Sequence, residues 1–79
     1  MGLEDVKKLR VMIEVIKDAV SREEESAVYY LNKSKAEHFE ELNNLFRSLA
    51  AVELEHKKDL EELLKEYEKR LEAEHLKNL

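Results

Sequence analysis

An all-α fold is what this 79-residue chain predicts: one antiparallel two-helix hairpin that dimerises into a four-helix bundle. Three observations carry that expectation. Apolar residues recur at steps of three and four through two long stretches, the spacing of one helix face. The sequence holds no Pro and a single Gly, Gly2, so nothing breaks those stretches. Finally, a chain this short builds a thin core, and two helices alone cover only one stripe each, which calls for a second copy. Charged residues make up 42%, a composition that would suit disorder, but the 43% that are hydrophobic are periodic.

Residues 3–36 read as the first helix. Its seam is Val6, Leu9, Ile13, Ile16, Val20, Glu23, Ala27 and Tyr30, widened by Leu3, Met12, Val15, Ala19 and Leu31. One acid, Glu23, interrupts it, while Arg22, Glu24 and Glu25 fall to the solvated side. The turn is expected near residues 37–39, where Asn32, Ser34 and the polar run from Lys33 to His38 are the only breakers before Phe39. Residues 40–77 read as the second helix, with the seam Phe39, Leu42, Phe46, Leu49, Glu53, His56, Leu60, Leu63 and Tyr67. Beyond Lys65 the apolar line thins to Tyr67, Leu71, Leu76 and Leu79, which predicts looser packing and fraying. The whole chain, 1–79, reads as a single hairpin domain.

Glu53 and His56 stand three apart in the second seam, and Glu23 stands alone in the first. On a buried face such groups are costly unless something pairs with them. Setting Glu23 level with Glu53 and His56 makes residue numbers at one height sum to about 77–78, because both helices rise equally per residue. That puts the turn centre near residue 39 and Leu3 level with about residue 75. One hairpin then converges three ligand-competent side chains, and a two-fold copy completes four Glu and two His. Two divalent ions balance those four carboxylates; without ions, some would take up protons. Oxygen-rich ligation with few imidazoles suits non-haem iron or manganese better than structural zinc. Tyr30, on the same seam, is a core aromatic whose hydroxyl needs a partner. A second Glu-x-x-His, Glu72 to His75, falls in the thinly apolar tail level with Glu4 and Asp5, and lacks a buried setting. His38 is expected to be exposed in the turn.

Several classes are excluded. The net charge is −5 and no basic patch interleaves with aromatics, so no nucleic-acid partner is expected. There is no Cys, hence no disulfide, zinc ribbon, thiol nucleophile or sulfur-ligated iron. No apolar run reaches membrane length and no charged start leads into a signal-peptide core, so no membrane partner is expected and the default location is the cytoplasm.

The residues also resemble a known family. Ala19-Val20-Ser21-Arg22-Glu23, with Ser26 and Tyr30 following, is similar to the first-helix signature of rubrerythrins in the ferritin-like superfamily. The run from Leu45-Phe46 through Leu49-Ala50 to Glu53-Leu54-Glu55-His56 is similar to the second-helix signature. The resemblance spans about residues 19–64. It implies that Glu23 and Glu53 are iron ligands, one of them bridging, that His56 is a terminal ligand, and that Tyr30 is a catalytic-site hydrogen-bonding group beside them. The usual domain carries two such helix pairs, and this chain carries one. It is therefore similar to the two-helix encapsulated ferritins, whose ligand spacing matches 23, 53 and 56. That likeness implies a site shared between subunits, two irons per dimer, and three kinds of partner: a homodimer or higher homo-oligomer, an external electron donor and an encapsulating shell protein.

Two functions remain open from the sequence. One is a di-iron ferroxidase, or an oxidoreductase that reduces peroxide or oxygen. The other is a non-catalytic helical oligomerisation module holding a structural metal or none.

Overall fold

The computed structural model describes residues 3–36 and 38–77, with side-chain surroundings from Asp5 onward. Glu37 in the expected turn, Leu79 at the end of the apolar line and the side chains of Leu3 and Glu4 lie outside the described residues. Two helices account for the fold: α1, Leu3–Lys33, and α2, Glu40–Lys77. They pack against each other along their length in a rod of 62 × 15 × 13 Å. Among the described residues there is no strand.

The first helix presents the predicted seam but not its predicted width, since Met12, Val15 and Leu31 are exposed. Val6, Leu9, Ile13, Ile16 and Ala27 are buried, and Val20, Glu23 and Tyr30 are half-buried. α1 ends at Lys33, three residues short of the expected 36, because Ser34 closes it. The Ser34 amide donates to the carbonyls of Tyr30 (3.0 Å) and Leu31 (3.2 Å), and its hydroxyl donates to the Leu31 carbonyl at 2.6 Å. Those bonds satisfy carbonyls a helix end would otherwise orphan. The connection then runs to Phe39. His38 adopts a positive φ of 67°, a left-handed conformation that reverses the chain without Gly. Asn43, buried in the first turns of α2, ties the connection down: its side-chain amide donates to the Ala36 carbonyl at 2.6 Å.

The second seam is displaced from the expected one. The residues of α2 that turn toward α1 are Asn43, Phe46, Ala50, Glu53, Lys57, Leu60, Leu64, Tyr67, Leu71 and Glu74, again at steps of three and four. Phe39, Leu42, Leu63 and His56, all expected in the seam, are exposed, and Leu49 is half-buried. The reason is that α2 carries two apolar stripes one residue apart, about 100° around the helix. The inner stripe tolerates Asn43 because it bonds the loop. It tolerates Lys57 because that side chain reaches out to Glu24 at 3.5 Å, and Glu74 because Lys77 lies 3.5 Å from it. Nor does α2 fray early: it stays helical through Lys77, with Glu74 buried.

Tyr30 stacks on Phe46, with ring centroids 6.1 Å apart, which fixes the register. Residue numbers at one level sum to 76 or 77, so Ala27 lies level with Ala50 and Glu23 level with Glu53. These two alanines are the most deeply buried residues of the core. With so little side chain between them, the helices approach closely just above the level of the acids.

Candidate metal centre

Glu23 from α1 and Glu53 from α2 meet in the seam, with His56 one turn further along α2. One ligand atom from each of the three lies within 4.8 Å of the other two, the one such group among the described residues. Nδ1 of His56 stands 3.7 Å from Oε2 of Glu23. The three environments differ. The Glu23 side chain is 23% exposed, Glu53 is half-buried, and the His56 side chain is 54% exposed. His56 belongs to the outer stripe, so it closes the cluster from the side rather than from within the seam.

Electrostatics mark the cluster as unsatisfied. Oε2 of Glu23 is buried and has no hydrogen-bond partner. The Glu53 carboxyl is held above the usual carboxylate range. The largest cause is the hydrogen bond it makes with Glu23, followed by burial and by repulsion from the Glu23 charge; His56 works in the opposite direction. Two carboxylates facing each other thus favour keeping a proton between them. A cation would displace that proton and satisfy the orphaned oxygen.

The neighbours are arranged in layers. Toward the turn come Ala27 and Ala50, then the Tyr30–Phe46 stack, with Tyr29 edge-on to Tyr30 at 5.6 Å. Toward the open end comes Val20, level with Lys57 and its contact to Glu24. Tyr30 stands seven residues from Glu23 on the same seam, and in a helix its side chain leans back toward the N-terminal turn, the direction of Glu23. Glu24 faces away and does not join the cluster.

The second Glu-x-x-His does not assemble a site. His75 is exposed and its Nε2 accepts from the Arg10 guanidinium at 3.0 Å. Glu72 shares a surface groove with His75, Glu14 and Lys17, on the opposite side from Asp5. The inward-pointing acid of that segment is Glu74, which the sequence reading passed over. The step of seven from Leu60 through Tyr67 reaches it and was the available signal.

Outside the seam the two sides of the hairpin differ. One residue before the seam positions lie Met12, Val15, Ala19, Ser26 and Tyr29 on α1 and Leu42, Leu45, Leu49, Val52, His56 and Leu63 on α2, an apolar side interrupted by Arg22 and Asp59 and ending in Asp5, Lys8, Glu66 and Arg70 toward the open end. In an antiparallel pair both sets fall on the same side. Val15 is 62% exposed there and Val52 48%. One residue after each seam position lies a mostly charged side, with Arg10, Glu14, Lys17 and Glu24 opposite Arg47, Lys58, Glu61 and Glu68. His56 therefore opens the ligand cluster onto the apolar side.

No described helix is long and apolar enough to cross a membrane. In comparison with known proteins, the model of one family, described as rubrerythrin, matches residues 14–78. No curated protein and no solved structure matches the chain.

Proposed function

The chain belongs to the rubrerythrin family of the ferritin-like superfamily, and on that premise we propose that it is half of a non-haem di-iron protein. Two hairpins pair through their apolar sides, and each contributes Glu23, Glu53 and His56 to a shared site for two irons. The observation that carries this reading is the convergence of those three ligand atoms within 4.8 Å. Glu23 and Glu53 would hold the ion through carboxylate oxygens and His56 through an imidazole nitrogen.

The donor set fits iron, with manganese as the alternative ion: hard oxygens, one imidazole per half, and two negative charges per hairpin once Glu53 gives up its proton. Iron held there would supply the electrons that reduce oxygen or peroxide. The chain's own residues do the rest. Glu53 releases its proton as the cation enters, and Glu23 offers its orphaned oxygen. His56 holds the boundary between the halves. The small side chains of Ala27 and Ala50 let the helices come close above the acids, and Tyr30 offers a hydroxyl at the edge of the site. The sequence contains no Cys to relay electrons, so repeated peroxide turnover draws on an outside donor. The further partner implied by the likeness to encapsulated ferritins, an enclosing shell, rests on that likeness alone.

The test is direct. Purified protein given Fe²⁺ and air should develop ferric absorbance at a rate that Glu53→Ala and His56→Ala abolish, and should bind two irons per dimer. Equal background rates in all three proteins would end the catalytic reading. Trace metal after iron loading would leave a helical oligomerisation module in its place.

A further inference from the structure

Resting on the metal-site reading, we propose that Glu24 is a positioning residue. It holds the Lys57 ammonium outside the carboxylate cluster, and Lys57 is an internal cation that competes for that cluster once Glu24 lets it go.

Two consecutive residues of α2 reach two consecutive residues of α1. His56 Nδ1 stands 3.7 Å from Glu23 Oε2, and Lys57 Nζ stands 3.5 Å from Glu24 Oε2. Successive side chains of a helix point about 100° apart. The two contacts therefore straddle the seam, the imidazole on the apolar side and the ammonium toward the charged side. Lys57 starts from within the seam, one turn beyond Glu53, and its side chain is 27% exposed against 60% for Glu24. The half-buried lysine thus reaches outward to an acid at the surface.

That direction is not the one set by the acid on its own helix. Glu53 and Lys57 are spaced i, i+4 with the acid nearer the N-terminus, the better order for a helical ion pair. A helical side chain also leans toward the N-terminal turn, which carries the ammonium toward the level of Glu53. Glu23 and Glu24 lie at that same level. The ammonium at the end of Lys57 is therefore poised between the cluster and Glu24, and the structure shows it with Glu24. Meanwhile Oε2 of Glu23 stays buried with no hydrogen-bond partner, and the positive group that offsets the Glu53 carboxylate is His56. Glu61, the other acid in i, i+4 spacing, is exposed and stands in the weaker order.

The consequence is a cluster that keeps its negative charge unmatched. With Glu24 in place, a divalent ion enters without displacing a tethered ammonium. Without Glu24, the same ammonium turns to Glu53 and Glu23, and the ion has to compete with it.

Mn²⁺ under nitrogen reads the competition, by calorimetric titration of the whole chain. Glu24→Gln should raise the Mn²⁺ dissociation constant about three- to fivefold, the range of a partly exposed ion pair. Lys57→Met should leave the constant unchanged or lower it, and adding Glu24→Gln to Lys57→Met should then have no effect. Circular dichroism and sedimentation check that the variants keep their helices and assembly; Lys57→Gln replaces Lys57→Met if that variant loses them. Equal weakening by Glu24→Gln with and without Lys57→Met overturns the proposal, because Glu24 then acts by its own charge. Weaker binding in Lys57→Met alone overturns it too, because the pair is then a brace between the helices. Either result leaves the metal site standing, since the unaltered chain still binds. An unaltered chain that takes up no Mn²⁺ would instead defeat the metal-site reading, and this proposal with it.

Discussion

One broad side of the hairpin carries Met12, Val15, Leu42, Leu45, Leu49, Val52 and Leu63; the other carries Arg10, Glu14, Lys17, Lys58, Glu61 and Glu68. The charged side is that of a finished surface, interrupted by Val28, Leu31 and Leu54 toward the loop. The apolar side, interrupted by Arg22 and Asp59, spans the level of the carboxylate cluster and carries the imidazole. Among the described residues, the seam between the helices hides no large side chain completely. In the proposed dimer, the buried layer within one hairpin and the exposed layer on its apolar side are two halves of one core. The proposed ligands, Glu23, Glu53 and His56, sit where those halves meet.

Breaking the comparison at its centre should have the largest effect. Val52→Lys puts a like charge on each apolar side beside the ligand cluster, and should raise the dimer dissociation constant on the order of a thousandfold. Sedimentation would read a monomer. Glu61→Lys, the same charge on the opposite side, should leave the mass unchanged; if it dissociates the dimer as well, the two sides are not different in kind.

A pair of core substitutions separates the inner layer from the outer one. Ile13→Ala removes a buried seam side chain and should cost about 2 kcal/mol or more at any protein concentration. Val15→Ala, two residues away, should cost little in dilute protein and more as the dimer forms. Chemical denaturation at two concentrations distinguishes them, and equal costs at both would merge the layers. Smaller still is the effect at the loop. Asn43→Ala loses the bond to the Ala36 carbonyl and should cost about 1 kcal/mol in thermal unfolding, without touching the cluster.

The first helix was legible in the sequence because it has one apolar stripe dense enough to choose: Val6, Leu9, Ile13 and Ile16 leave no rival. The second was legible only as a helix. Its two stripes, one through Leu60 and Leu64, the other through Leu42, Leu45, Leu49, Val52 and Leu63, are about equally apolar. Their allocation depends on which partner each meets. One stripe meets α1 and the other lies bare, and a single sequence does not say which. The same ambiguity sent His56 to the buried face on paper and to the boundary in the structure. Glu23 and Glu53 escaped it because both interrupt an inner seam at one level. The end of α1 was legible in kind but not in position, since the closing bond is made by Ser34, a residue equally common within loops.

The last comparison is between the cluster with and without its cation. Glu53 has a raised pKa in the folded protein, through the Glu23 hydrogen bond first and burial second. Between the ordinary carboxylate range and that raised value the folded chain holds more protons than the unfolded one. Metal-free protein therefore loses stability as pH rises through that window, and regains it on acidification. The effect should be the smallest of the series, because Glu53 is only half-buried and solvent screens the pair. Glu53→Gln should flatten it. Iron or manganese should cancel it: a cation competes with the proton for Glu53, so metal affinity rises with pH over the same window and each ion bound releases the proton whose loss costs the metal-free protein. Thermal unfolding across mildly acidic pH should thus show stability falling with pH in the metal-free protein and level in the metal-loaded one. Parallel slopes would mean that the ion is held elsewhere than between Glu23 and Glu53.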